Sequence, residues 1–213
     1  MFRIIACVFD STRWARHRMV VSFLVCLCSP VAAGSQRVSE VLIDDRSTGQ
    51  LQSSHAGAWR LITDQVMGGR SSGELVVDKY QGRECLRMHG SVSTANNGGF
   101  VQMALDLADR KHFDPSKYAG LVIEVAGNGQ RYNLHLRTTN LWLPWQSYRA
   151  EFAANAQWKK VRIPFSDFEP YRTSKQFDPA RLIRIGVVAI GRDFDAEVCV
   201  GSLAFYRDDE GAD

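Results

Sequence analysis

The chain has 213 residues, 45% of them hydrophobic and 23% charged, with a formal charge of +3. That length and apolar content suit one domain with a substantial core and exclude a disordered or low-complexity chain. Residues 1–33 hold four of the 26 basic residues and one of the 23 acidic ones, so the chain beyond them is close to neutral. Its Lys and Arg are spread among acids, whereas a nucleic-acid binder concentrates basic charge, so no nucleic-acid partner is expected.

The chain opens on Arg3, Arg13, Arg16, His17 and Arg18, followed by an apolar run from Met19 to Cys28 and then Ser29-Pro30-Val31-Ala32-Ala33. A basic region, an apolar region and a small-residue site predict a signal peptide over 1–33, cleaved after Ala33. The run is shorter than the roughly 20 residues of a membrane helix, so no stable span is expected after cleavage. The expected location is exported, periplasmic or otherwise extracytoplasmic. The alternative is a mitochondrial presequence, since the first residues are Arg-rich with Asp10 as their one acid; the unbroken apolar block is unlike such amphipathic segments. Cys85 and Cys199 stay in the mature chain, and an oxidising compartment allows such a pair to bridge. Alternation turns both away from the core, and two unrelated surface thiols are the other possibility. Residues 40–207 are expected to form a single domain, with 208–213 a disordered acidic tail.

Along that domain, strands are expected over 73–77, 85–92, 100–107, 120–126, 133–138, 147–152, 158–163, 184–190 and 198–206. The clearest alternation sets Leu134, Leu136 and Thr138 against Asn133, His135 and Arg137, and Tyr148, Ala150 and Phe152 against Ser147, Arg149 and Glu151. A period of two with one apolar face marks a half-buried strand. Asn97-Gly98, Gly127-Asn128-Gly129 and Pro164 mark turns. Asp114-Pro115 and Asp178-Pro179 open two short helical turns, each an Asp N-cap followed by a first-turn proline. Many short strands with few helices predict an all-β, antiparallel sandwich or barrel. Trp59, Trp158, Phe165 and Phe168 are expected in its core.

Gly69-Arg70-Ser71-Ser72-Gly73 fits the G-x-S-x-G pattern, but that chemistry needs a strained strand-to-helix turn. Here Glu74-Leu75-Val76-Val77-Asp78 reads as strand, so the glycines are expected to serve turns and no catalytic residue is expected. His55, His89, His112 and His135 are scattered without zinc spacing, and Asp193, Asp195 and Glu197 read as a solvated strand face, so no metal site is expected. The candidate binding site is the loop Trp142-Leu143-Pro144-Trp145-Gln146. Its proline stiffens a pair of tryptophans, and Arg137 and Arg149 leave the flanking strands on the polar side. The alternative is that Trp142 and Trp145 close the end of the sandwich and the arginines form surface ion pairs.

Several stretches occur together in order. Trp59-Arg60-Leu61-Ile62-Thr63-Asp64-Gln65-Val66-Met67-Gly68-Gly69-Arg70-Ser71-Ser72-Gly73 is followed by Asn96-Asn97-Gly98-Gly99-Phe100. Leu143 to Phe152, Trp158, Val161 to Phe168 and Ile185-Gly186-Val187-Val188 come after. This series resembles the signature of the complex I intermediate-associated protein 30 family over nearly everything after residue 50. The resemblance implies a non-catalytic, galactose-binding-like jelly-roll β-sandwich without a cofactor. It also implies an assembly or chaperone-like factor docking on a protein partner, a membrane-complex subunit, because the family's mitochondrial members assist assembly of respiratory complex I. The alternative function is an envelope carbohydrate-binding module with a glycan partner, suggested by the sandwich and the paired tryptophans. Trp142, Trp145, Gln146, Arg137 and Arg149 are the residues expected to meet either partner.

Overall fold

The computed structural model describes residues 39–107 and 114–207. The expected signal peptide at 1–33, the tail at 208–213 and His112 lie outside the described residues. Twelve strands follow one another: β1 (Glu40–Asp44), β2 (Trp59–Thr63), β3 (Ser72–Tyr80), β4 (Arg83–Val92), β5 (Phe100–Asp106), β6 (Gly120–Gly127), β7 (Gln130–Thr138), β8 (Ser147–Ala154), β9 (Lys159–Pro164), β10 (Glu169–Tyr171), β11 (Leu182–Ile190) and β12 (Phe194–Tyr206). One sheet runs β3-β4-β12-β6-β9, with β1 paired to the last part of β12. The other runs β10-β8-β7-β11-β5-β2. Every pairing between these strands is antiparallel, so the fold is the all-β sandwich expected from the alternation.

The period-two positions fill the space between the sheets. Leu86, Met88, Ile123, Val125, Val198 and Val200 come from the first sheet, and Leu105, Leu134, Leu136, Phe152, Ile185 and Val187 from the second. Each such side chain taken fully out of water contributes about 1.5–3 kcal/mol, which makes this layer the main source of stability. The core continues into an aromatic cluster in which Phe165 packs on Phe168, Phe177 and Phe205. The helical pieces among the described residues are 3-10 turns of three or four residues. Asp114 caps one through the Ser116 N–H, and Asp178 caps another through the Ala180 N–H, as their Asp-Pro openings predict.

Three strands escape the alternation signal. β1 and β2 are short, and β10 holds Pro170, which a sheet edge tolerates because no ladder bond is needed there. Trp158 departs from its expected place in the core. It sits in the turn before β9, where the chain swings outward, and lies partly buried on the outer face of the first sheet. There its Nε1–H donates to the Tyr80 carbonyl at 3.2 Å and Arg83 lies over its ring at 4.9 Å. Cys85 and Cys199 do point away from the central core, yet they meet on β4 and β12 with Cα atoms 5.4 Å apart and are disulfide-bonded.

Candidate functional site

The glycine-rich signature is organised by one buried carboxylate. Asp64 follows β2 and is fully buried. Its Oδ1 accepts the Ser71 N–H at 2.9 Å; its Oδ2 accepts the Ser71 hydroxyl at 2.5 Å, the Gly99 N–H at 2.5 Å and the Phe100 N–H at 3.3 Å. Burial alone would raise its pKa, but the bonds from Gly99, Ser71 and Phe100 outweigh it and hold the carboxyl below its ordinary value. The glycines make room for that carboxylate. A Cβ on Gly69 would stand 2.3 Å from the Asp64 Cγ, and one on Gly98 2.4 Å from its Oδ2. Their partners Gly68 and Gly99 take φ of 84° and 120°, where a Cβ is strained. Each pair therefore has one glycine for conformation and one for close approach. Ser71 is buried, with its hydroxyl donating to Asp64 and accepting the Ser93 N–H at 3.0 Å, which is the bonding of a structural serine.

The loop between β7 and β8 has the opposite character. Trp142 is 88% exposed, Trp145 46% and Leu143 43%, so the tryptophans do not close the end of the sandwich. Beneath them Arg137 serves as the frame. Its Nη1 donates to the carbonyls of Leu143 at 2.9 Å, Pro144 at 2.7 Å and Gln146 at 2.9 Å, and its Nη2 reaches Leu141 at 3.4 Å. Burial and then the neighbouring Arg184 lower the Arg137 pKa from its usual range, though a guanidinium stays charged in proteins. Gln146 closes the loop: its Oε1 accepts the Leu143 N–H at 3.1 Å, and its Nε2 donates to the Arg172 carbonyl at 3.2 Å. Arg137 and Gln146, expected as contact residues, both hydrogen-bond to the backbone of the loop that carries the tryptophans. Leu143, part of the candidate loop but not among the residues expected to meet a partner, is exposed as well.

Arg149 leaves the same sheet on its outer face but stands apart from this frame. Its guanidinium lies 3.2 Å over the ring centre of Tyr171 on β10. Beside it a cavity of about 460 Å³ is lined by Asn133, Arg149, Glu151, Asp167, Glu169 and Tyr171. In strand register Arg149 faces Glu169 on one side and His135 on the other. His135 Nε2 is buried without a protein partner, and its Nδ1 lies 3.5 Å from the Ser147 hydroxyl. Burial, and secondarily the Arg149 charge, pull its pKa down to about 3, so the imidazole is neutral at pH 7. The acidic residues at the start of β12 are partly committed elsewhere: Asp193, just before the strand, accepts from Thr94, and Glu197 pairs with Arg87. Among the described residues no group of three or more His, Cys, Asp or Glu is placed to hold a metal ion. No helix among them is long and apolar enough to cross a membrane.

This architecture of two antiparallel sheets is that of the galactose-binding-like sandwiches. The family signature of complex I intermediate-associated protein 30 (CIA30) matches residues 49–197, and the chain belongs to that family. No curated protein matches it in sequence. Among solved structures, the fold is similar to a family 11 carbohydrate-binding module from Clostridium thermocellum in complex with a beta-1,3-1,4-mixed-linked tetrasaccharide. The TM-score is 0.62 at 16% identity, covering 80% of this chain and 96% of the other. A family 11 module of the cellulosomal cellulase Lic26A-Cel5E of Clostridium thermocellum gives 0.60 at 16% identity, covering 83% and 99%. A family 30 carbohydrate-binding module gives 0.54 at 16% identity, covering 84% and 93%.

Proposed function

We propose that this protein is a non-catalytic docking module that acts as an assembly or chaperone-like factor for a protein complex, and that Trp142, Leu143 and Trp145 form its contact surface. The observation that carries this reading is the loop itself, an apolar protrusion that is exposed and yet locked by Arg137. A preformed contact loses little conformational freedom on binding, which favours affinity. Exposed tryptophans are also the side chains that most often dominate protein interfaces. The polar groups around the rings are already engaged: Arg137 with four carbonyls and Gln146 with two backbone groups. Both serve the loop's shape, so the apolar surface of Trp142, Leu143 and Trp145 is left to make the contact. The exposed rings themselves support the second reading, an envelope carbohydrate-binding module, since a flat aromatic face also packs on a sugar ring. Export to an oxidising, extracytoplasmic compartment belongs to the same proposal, supported by the Cys85–Cys199 bridge.

Immobilised protein incubated with envelope extract distinguishes the readings. Recovery of membrane-complex subunits that resist elution by free oligosaccharides is expected. Elution by oligosaccharides, with no subunit retained, would establish the carbohydrate reading instead.

A further inference from the structure

β8 is covered along only part of the edge it turns away from β7. Its neighbour there, β10, meets Ser147, Tyr148 and Arg149, while β8 runs on to Ala154. Pro170 stands opposite Tyr148 and has no N–H, so the hydrogen-bonded pairs of that ladder are Glu169 with Arg149 and Tyr171 with Ser147. The same phase carries along the strand, so Glu151 and Ala153 also direct their N–H and C=O groups away from β7. Among the described residues no group bonds the main chain of Glu151 or Ala153 on that side. Two adjoining cavities of about 310 and 460 Å³ lie along this bare edge, both lined by Ala150, Glu151 and Asp167. The smaller reaches the apolar Phe152, Val161 and Ile163, so the edge opens into a recess between β8 and β9. Charges of both signs border the two cavities, Arg149 and Lys159 against Asp167 and Glu169.

Resting on the reading of the chain as a docking module for a polypeptide, we propose that the bare edge of β8 takes up an extended segment of that client as an added strand. Glu151 and Ala153 supply its main-chain bonds. An extended segment is the occupant because donors and acceptors on alternate residues of one edge are matched by the main chain of another strand. Every second side chain of the added strand then points into the recess towards Phe152 and Val161. Because the recess carries both signs of charge, the segment needs no net charge of its own. A second copy of this chain does not fit the same edge. Pairing β8 with β8 through Glu151 and Ala153 would bring β10 of each copy onto residues 155–157 of the other.

The test follows amide exchange in the full chain, residue by residue. In the free protein the N–H groups of Glu151 and Ala153 are expected to exchange fast, and that of Phe152, bonded to β7, slowly. The probes are two short peptides of alternating Thr and Val. One is N-methylated at every second residue, which leaves it one hydrogen-bonding edge; the other is N-methylated throughout and has none. The first should slow exchange at Glu151 and Ala153 at least about tenfold, and the second should leave it unchanged. Ala153→Pro removes an N–H that no ladder bond uses, and should weaken binding of the first peptide at least about tenfold at a nearly unchanged unfolding midpoint. If that variant does not fold, the exchange measurements on the wild type decide alone. Slow exchange at both amides in the free monomer, no slowing by the first peptide, or equal slowing by both overturns the inference. Protection that appears only in a dimer, read by sedimentation, makes a second copy the occupant and overturns it as well. These probes need no residue of the tryptophan loop, so their failure leaves the loop standing. Partner capture undiminished by loss of Trp142 and Trp145 would instead overturn the loop and leave the edge.

Discussion

At Asp64, one buried carboxylate satisfies donors from two separate turns, which makes it the residue whose loss should be felt most widely. Asp64→Ala strands the N–H groups of Ser71, Gly99 and Phe100, and should cost about 3 kcal/mol or more in denaturant unfolding. Gly69→Ala should also destabilise clearly, because its Cβ meets Asp64 at 2.3 Å. A loss near zero for both would show that the signature is not organised in this way. His135 gives a second residue-scale expectation, with a definite sign. Its pKa is lowered from 6.5 to about 3 on folding, so the unfolded chain binds a proton that the folded one refuses. Its contribution to stability is complete above about pH 6.5 and is lost as pH falls from there towards 3, by up to about 1.4 kcal/mol per pH unit. His135→Gln should flatten that acidic limb in a series of unfolding curves. The paired glycines were legible in the sequence as turn residues, since Gly68 and Gly99 take positive φ. The carboxylate they surround was not: a lone Asp carries no local sign that four donors converge on it.

The β7–β8 hairpin shows at the element scale why alternation locates a loop without revealing its inner bonding. Leu134, Leu136, Tyr148 and Phe152 alternate cleanly, and the structure buries all four. The loop they bracket was therefore readable, together with the exposure of its far-side neighbours. Arg137 was readable only as an outward residue, because a guanidinium that folds back onto four carbonyls leaves no trace in a period-two pattern. Arg137→Met should keep the strands and release the loop. Amide exchange over 141–146 should accelerate, stability should fall by about 2 kcal/mol, and partner capture should weaken. Unchanged exchange would mean that the tryptophans are held by something else. β1, β2 and β10 were missed for a related reason: short edge strands lack the repeat that makes a period visible.

On the scale of the whole molecule, the Cys85–Cys199 bridge ties β4 to the C-terminal strand across 114 residues. Constraining so long a loop in the unfolded chain should be worth about 5 kcal/mol on the chain-entropy account, so Cys199→Ser should lower the unfolding midpoint markedly. An unchanged midpoint in thermal unfolding of the oxidised wild type and the variant would show that the bridge adds nothing. The pairing was not decided by the sequence, because alternation shows which way each cysteine faces and not which strands become neighbours. The proposed function rests on a different part of the molecule, the exposed loop between β7 and β8. The most direct measurement compares partner capture by the wild type and by the double variant Trp142→Ala, Trp145→Ala, with unfolding midpoints recorded for both. Removing two exposed side chains should leave the midpoint nearly unchanged, since surface substitutions away from structural contacts shift stability by less than about 0.5 kcal/mol. The docking account expects capture of membrane-complex subunits by the wild type and its loss in this folded variant. Capture undiminished in a variant that is equally stable would contradict it and place the contact surface elsewhere.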